Sequence, residues 1–328
     1  IPTVTPKNIE GVDKTSTDVQ GATQTGTPEF ELEGTNSNGE KVKVTPDLDY
    51  PAKLVDPATG QVTDEATVTV AGEGTYTIDQ ATGKVTFKPE PGFTGTANGV
   101  TVSVTAPVGR DKDGNVPADA LKTATAKYTP TVTPITLTPT NKVSEDVQNV
   151  PQTQTPTFEL SNDKTAEITS KKLVDPATGQ PTDATTVTVP GEGSYTIDPT
   201  TGAVTFVPEK DFVGTAKGVT VQATATIKNE DGKTTTITAD ATYTPTVVPA
   251  VPTAQPAKSI DVQGATQKGK PTFEGTTVTV NGEQKPITIK ENSYTLVDKD
   301  GNEVTSTPAY AEDGTTVIGT HTIDPTTG

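Results

Sequence analysis

Apolar and small polar residues alternate through Gly193-Ser194-Tyr195-Thr196-Ile197-Asp198 and again through Ala203-Val204-Thr205-Phe206-Val207-Pro208. A period of two places Tyr195 and Ile197 on one face of a strand, and Val204 and Phe206 on one face of the next. Between the runs, Asp198-Pro199 presets a turn, and Gly202 is free to take the positive φ needed to leave it. The pattern predicts a β-hairpin with one buried face. The same cassette stands earlier at residues 72–89, with Tyr76, Ile78, Val85 and Phe87 in the apolar positions. It begins a third time at Gly319-Thr320-His321-Thr322-Ile323-Asp324 and runs to Gly328.

A second marker is also threefold. Asp18-Val19-Gln20 recurs as Asp146-Val147-Gln148 and as Asp261-Val262-Gln263, each ahead of a Pro-x-Phe that ends at Phe30, Phe158 or Phe273. That spacing is a whole domain, well beyond the roughly 20–50 residues of a solenoid unit. The middle copy shows the plan most plainly. Leu173-Val174 ends a strand before the turn 175–179, and Thr186-Val187-Thr188-Val189 is a further short strand. The hairpin follows, then Phe212 and an alternating strand of Val219, Val221, Ala223, Ala225 and Ile227. Asp231-Gly232 signals a hairpin turn, and Ile237, Ala239, Ala241 and Tyr243 alternate on the return. Some seven strands without helical periodicity predict an all-β chain of tandem antiparallel β-sandwich domains of Ig-like type.

The expected domains are 1–134, 135–250 and 251–328. The first has a longer loop, holding Asp111-Lys112-Asp113-Gly114-Asn115, between its Val100-to-Val104 strand and its Ala124-to-Tyr128 strand. The third opens on an Asn281-Gly282 hairpin between Val278/Val280 and Ile287/Ile289, and it stops inside a hairpin turn without closing strands. It is expected to be incomplete at its C-terminus. Proline-rich joints run from Tyr128 to Pro139 and from Tyr243 to Pro256. Such spacing favours extended polyproline II at about 3.1 Å per residue, hence an elongated row of domains. Ile1 to Pro6 matches the tail of such a joint.

Composition narrows the function classes. Hydrophobic residues make up 30% of the chain and aromatic ones 4%, so the cores are expected to be thin. A formal charge of −17 argues against a nucleic-acid partner, which needs a basic stripe. With no Cys, disulfides, thiolate-bound zinc and thiol catalysis are excluded. No run approaches 18 apolar residues, and residues 1–6 lack the features of a signal peptide, so neither membrane insertion nor a leader is expected in this segment.

The ordered pattern Tyr-Thr-Ile-Asp-x-x-Thr-Gly-x-Val-Thr-Phe-x-Pro, then Phe-x-Gly-Thr-Ala, a Val-rich strand and Ala-x-Tyr-Thr-Pro-Thr-Val resembles the CshA-type fibril repeat of streptococcal-type surface adhesins. The resemblance covers two full copies and one partial copy. It implies a protein that is extracellular and anchored in the cell wall, with a non-repetitive region elsewhere binding host or bacterial surface proteins. The repeats would be its stalk, with neighbouring repeats as their partners. The rival reading has the repeats themselves gripping a host glycoprotein or one another between cells. Departures from the pattern are the lengthened first and third copies, His321 in the Tyr position, and Asn149-Val150-Pro151 for Gly-Ala-Thr.

No catalytic, cofactor-binding or metal-binding residue is nominated, and an enzyme is not expected. His321, the single His, falls where a hairpin aromatic packs, which makes it a packing residue and not a base. Asp111–Asn115 and Asp298–Asn302 resemble half a calcium loop but lack the spaced acids of an EF-hand, and read as hairpin tips. Glu192, Asp198, Glu209 and Asp211 surround one hairpin, where a glycosidase would need two carboxylates across a cleft. With no Trp to stack on a sugar ring, they read as solvated loop acids. Gly191 and Gly193 precede a strand and not a helix, so they form no phosphate loop.

Overall fold

The computed structural model describes residues 8–46 and 48–328. The Ile1-to-Pro6 stretch lies outside them. Among the described residues every regular element is a strand except one short 3-10 turn, Ala118–Ala120. The chain forms two compact units whose boundary runs through the second copy. One takes in the chain up to Asn141, together with Pro156–Lys172 and Val221–Ala241; the other holds Lys142–Thr155, Leu173–Thr220 and Thr242–Gly328.

In the first unit, the predicted hairpin is the centre of a four-stranded sheet. Its order is Gln24–Gly26, Lys84–Pro89, Gly74–Asp79, Thr67–Val70. Tyr76 stands opposite Phe87 and Ile78 opposite Val85, as the alternation requires. The turn between the arms forms because Asp79 accepts from the Gly83 amide at 2.7 Å, with Gly83 at φ 72°. A second sheet faces this one. Val100–Pro107 pairs with Leu121–Thr133 on one side and Lys53–Val55 on the other. Its Leu54, Val100, Val102, Val104, Ala126 and Tyr128 close the core over Tyr76 and Phe87.

The second unit repeats the four-stranded sheet as Gln152–Gln154, Val204–Pro208, Gly193–Ile197, Thr186–Val189. Tyr195 again faces Phe206, and the ring geometry is conserved between copies. Centroids are 4.7 Å apart for Tyr76/Phe87 and 4.8 Å for Tyr195/Phe206, tilted 31° and 32°. Tyr128 and Tyr243 meet these pairs edge-on at 6.5 and 6.3 Å. The other sheet of the second copy runs in the order Lys142–Val147, Thr234–Val248, Val219–Lys228, Ala166–Asp175, Gln180–Pro181, and beyond Val248 the chain forms short two-stranded ribbons. They include Thr277–Val280 with Glu283–Pro286, joined by Asn281 and Gly282 at φ 49° and 81°. Both central residues have positive φ, as a tight hairpin demands.

Two features differ from the sequence expectation. Each of the first two copies contains a parallel pair, Lys14–Val19 alongside Leu121–Thr133 and Lys142–Val147 alongside Thr234–Val248. That pairing also shortens the proline-rich joint. Thr129 to Thr133 belong to the closing strand and Leu137–Thr140 to a ribbon, leaving only Pro134, Ile135 and Thr136 between. A neighbouring strand offers the backbone hydrogen bonds that polyproline II leaves to water. Pro130 fits because its missing N–H costs nothing at a site where only its carbonyl is used, accepting from the Ala97 amide at 3.0 Å.

Candidate functional site

The residues that tie the closing strand into each copy are the best candidates for function in a protein built by repetition. Tyr76 is fully buried beside Glu73, itself only 5% exposed. The Tyr76 hydroxyl donates to Glu73 Oε2 at 3.1 Å, and the Asn98 amide donates to Glu73 Oε1 at 2.7 Å. Glycines on either side make this possible. Gly74 has φ 153°, and a Cβ there would run into the Lys88 carbonyl oxygen. In the second copy Lys217 donates its amide to Glu192 Oε1 at 2.9 Å. Glu192 Oε2 and the Tyr195 hydroxyl are buried close together without the well-aligned hydrogen bond of the first copy. Burial, then the glutamate charge, pushes the phenols of Tyr76 and Tyr195 well above the ordinary tyrosine range.

A second network pins the closing strand from the other side. Ser16 Oγ lies 2.7 Å from the Tyr128 hydroxyl and donates to Gln24 Oε1 at 2.6 Å. Gln24 Nε2 in turn donates to the Thr131 carbonyl at 2.9 Å. Ser144, Tyr243, Gln152 and the Thr246 carbonyl repeat the set. In the third copy Ser259 and Gln267 still meet at 2.7 Å, but on the exposed surface.

The acids weighed from sequence do not gather into a reactive pair. Glu192 is buried and not solvated, a correction with a clear cause: the Gly-Glu-Gly bend turns its side chain inward to the Lys217 amide. Asp198 is exposed and caps its own turn, accepting from the Thr200 amide at 2.9 Å. Glu209 and Asp211 are exposed in the loop that follows. His321 does not pack; it lies exposed in Val317–Thr322 opposite Thr307. Asp111 and Asp298 use their side-chain oxygens on their own loop amides, Asp113 and Asn115 in one case, Asp300 and Asn302 in the other. Among the described residues no group of three or more His, Asp or Glu is placed to hold a metal ion, and no helix is long and apolar enough to cross a membrane.

Three successive stretches, 6–132, 134–247 and 249–328, match the family described as the surface adhesin CshA repetitive domain. The chain belongs to the CshA repeat family. No curated protein sequence matches it. Among solved structures it is similar to mouse cadherin-23 EC22-24, at 14% identity and a TM-score of 0.24, covering 74% of this chain and 65% of that one. The chain thus spans just under two thirds of that cadherin fragment. It is also similar to the titin domains z1z2 in complex with telethonin (12% identity, TM-score 0.31, 76% and 100% covered). Human CDH23 EC21-23 is a further likeness, at 15% identity, a TM-score of 0.27 and 87% of each chain covered.

As a CshA repeat chain, this is the repeat region of a surface adhesin family. Sequence reasoning missed its most distinctive groups, the buried glutamates Glu73 and Glu192. The available signal was the Gly-Glu-Gly spacing shared by two copies. What these residues do is hold the closing strand in place. A long closing strand is hydrogen-bonded along its edge, packed by aromatic rings on its inner face and tied by side chains at the end nearest the joint.

Proposed function

We propose that this chain is a stretch of stalk in a fibrillar adhesin anchored in a bacterial cell wall, with 1–134, 135–250 and 251–328 as its successive repeats. The stalk carries an adhesive region, located elsewhere in the protein, away from the wall. The recurrence of one aromatic core and one closing-strand network in successive copies supports this reading, because a spacer needs identical units and no converging chemistry. Strands of about nine residues at roughly 3.3 Å each set a unit near 30 Å long. The charge of −17 opposes lateral clumping of neighbouring fibrils. No catalytic role is proposed.

The test is to vary the copy number in the surface-displayed protein and measure the distance from wall to tip by labelled electron microscopy. Distance should rise in step with copies, and purified repeats should not bind host glycoproteins. Constant distance, or saturable binding by the purified repeats, would show instead that the repeats are the adhesive element.

A further inference from the structure

Asp-Val-Gln marks every copy in the sequence, yet it contributes little to the aromatic core. In the first copy it forms the end of the strand Lys14–Val19 and turns at Gly21, with φ 82°. Asp18 fixes the bend by accepting from the Val19 amide at 2.8 Å, and the Gln20 amide donates to the Thr133 carbonyl at 2.8 Å. The other side of this bend meets residues of the second copy. Lys164 Nζ lies 2.5 Å from Asp18 Oδ2, and Thr165 Oγ1 donates to the Gln20 carbonyl at 2.6 Å. Nearby, Asn229 Nδ2 donates to the Pro89 carbonyl at 2.8 Å in a buried position. Ile135 from the joint, Ala166 and Ile227 form a small apolar core against which Val19 packs.

The next joint is built on the same bend. Asp146 accepts from the Val147 amide at 2.7 Å, and the Gln148 amide donates to the Val248 carbonyl at 2.9 Å. A lysine of the third copy, Lys285, donates to both Asp146 oxygens at 2.8 Å, and the Asn281 amide donates to Glu145 Oε1 at 2.9 Å. Two joints thus place a following-copy lysine on the same aspartate of the preceding copy. Burial alone would raise the Asp18 carboxyl; Lys164 and the Val19 amide outweigh it and hold it below the ordinary range.

We propose that the Asp-Val-Gln bend is a docking surface whose partner is the next copy of this repeat, so that neighbouring copies open together and not as independent beads. The proposal deepens the stalk reading and rests on it. The half-exposed lysine–aspartate pair sets register more than strength. Strength comes from the buried Asn229 contact and the apolar residues around Ile135, which no solvent replaces while both copies stay folded.

The test is amide hydrogen exchange on the full chain, read at Lys228, whose amide donates to the Thr165 carbonyl at 2.8 Å within the second copy. Val85→Ala weakens the first copy from inside its own core, far along the chain from Lys228. Exchange at Lys228 should accelerate at least tenfold, and should no longer respond to Val85→Ala once Lys164→Gln and Asn229→Ala have cut the joint. Unchanged exchange at Lys228 would overturn the proposal. If Val85→Ala is too mild, Phe87→Ala unfolds the first copy outright. A second copy that then keeps its native protection at Lys228 overturns the proposal equally. Because the readout is made on purified protein, it stands or fails apart from where the protein resides on the cell.

Discussion

The second and third copies share the run Thr-Ile-Asp-Pro-Thr-Thr-Gly, yet the two stretches end in different environments. In the second copy the run continues a sheet in which Tyr195 is fully buried. In the third copy every residue of Val317–Thr322 is exposed, with Ile318 at 68%. Both segments form strands, so the local pattern and turn chemistry suffice for that much. They do not suffice for burial. In the second copy the cover over Tyr195 includes Tyr243, on the strand Thr234–Val248, which starts 26 residues after the hairpin ends at Pro208. In the third copy Val317–Thr322 pairs only with Ser306–Tyr310 among the described residues, and His321 is exposed. Strand formation is a local property here, and core formation depends on the closing strand.

The largest expected effect tests that division directly. Phe206→Ala removes a fully buried ring packed on Tyr195 and should cost about 3–5 kcal/mol, read as a shift in the denaturant midpoint of unfolding. His321→Ala, at the position matching Tyr195, should change stability by about 0.5 kcal/mol or less. Equal costs at the two sites would mean that the third copy has a core after all. Next comes a backbone pair. Gly193 has φ 152°, and a Cβ there would strike the Val207 carbonyl oxygen, so Gly193→Ala should cost about 1–3 kcal/mol. Gly319, its counterpart, has its nearest neighbour at 3.9 Å and should accept Ala with little change.

A pH scan gives a smaller effect, distributed over the first two copies. Tyr76, Tyr128, Tyr195 and Tyr243 all have phenols raised above the ordinary value near 10, chiefly because burial penalises the phenolate. The folded state favours the neutral form, so this contribution is fully present below pH 10. It declines as pH rises above 10 toward the folded values. Thermal midpoints of the first two copies should therefore hold from pH 7 to 9 and fall by pH 11, in step with tyrosinate absorbance. A midpoint that holds at pH 11 while those phenols ionise would contradict the burial account.

How much of this was legible in the sequence follows the same divide. The pairing of Tyr195 with Phe206 and the turn at Gly202 could be read directly, because a period of two and a positive-φ glycine leave one register open. The prolines at 130 and 245 read as spacers because polyproline II is their default in isolation. Their place in a closing strand depended on a parallel partner far upstream. Glu192 read as solvated because a lone carboxylate ordinarily is; the Lys217 amide that holds it is 25 residues away. The joint was least legible of all, since Lys164 and Asp18 are separated by 146 positions. Local chemistry was readable, and pairings across copies were not.

The smallest effect belongs to the third copy alone and asks what holds a ribbon without a core. Asp313 lies at the tip between Ser306–Tyr310 and Val317–Thr322 and accepts from the Thr315 amide at 2.9 Å and the Thr316 amide at 2.8 Å, and from the Thr316 hydroxyl. These donors, the Thr316 hydroxyl first, lower its carboxyl to about 2. A depressed acid stabilises the fold above its unfolded value of 3.8 and stops doing so as pH falls through about 2. The cross-strand amides around Ala309 and Gly319 should therefore lose protection between pH 4 and 2, while the Tyr195 hairpin keeps its own. Asp313→Asn, which retains an acceptor but not the charge, should flatten that acid transition in the ribbon. If the ribbon's acid response survives Asp313→Asn unchanged, its turn is not what holds it, and packing from some other part of the third copy must do so.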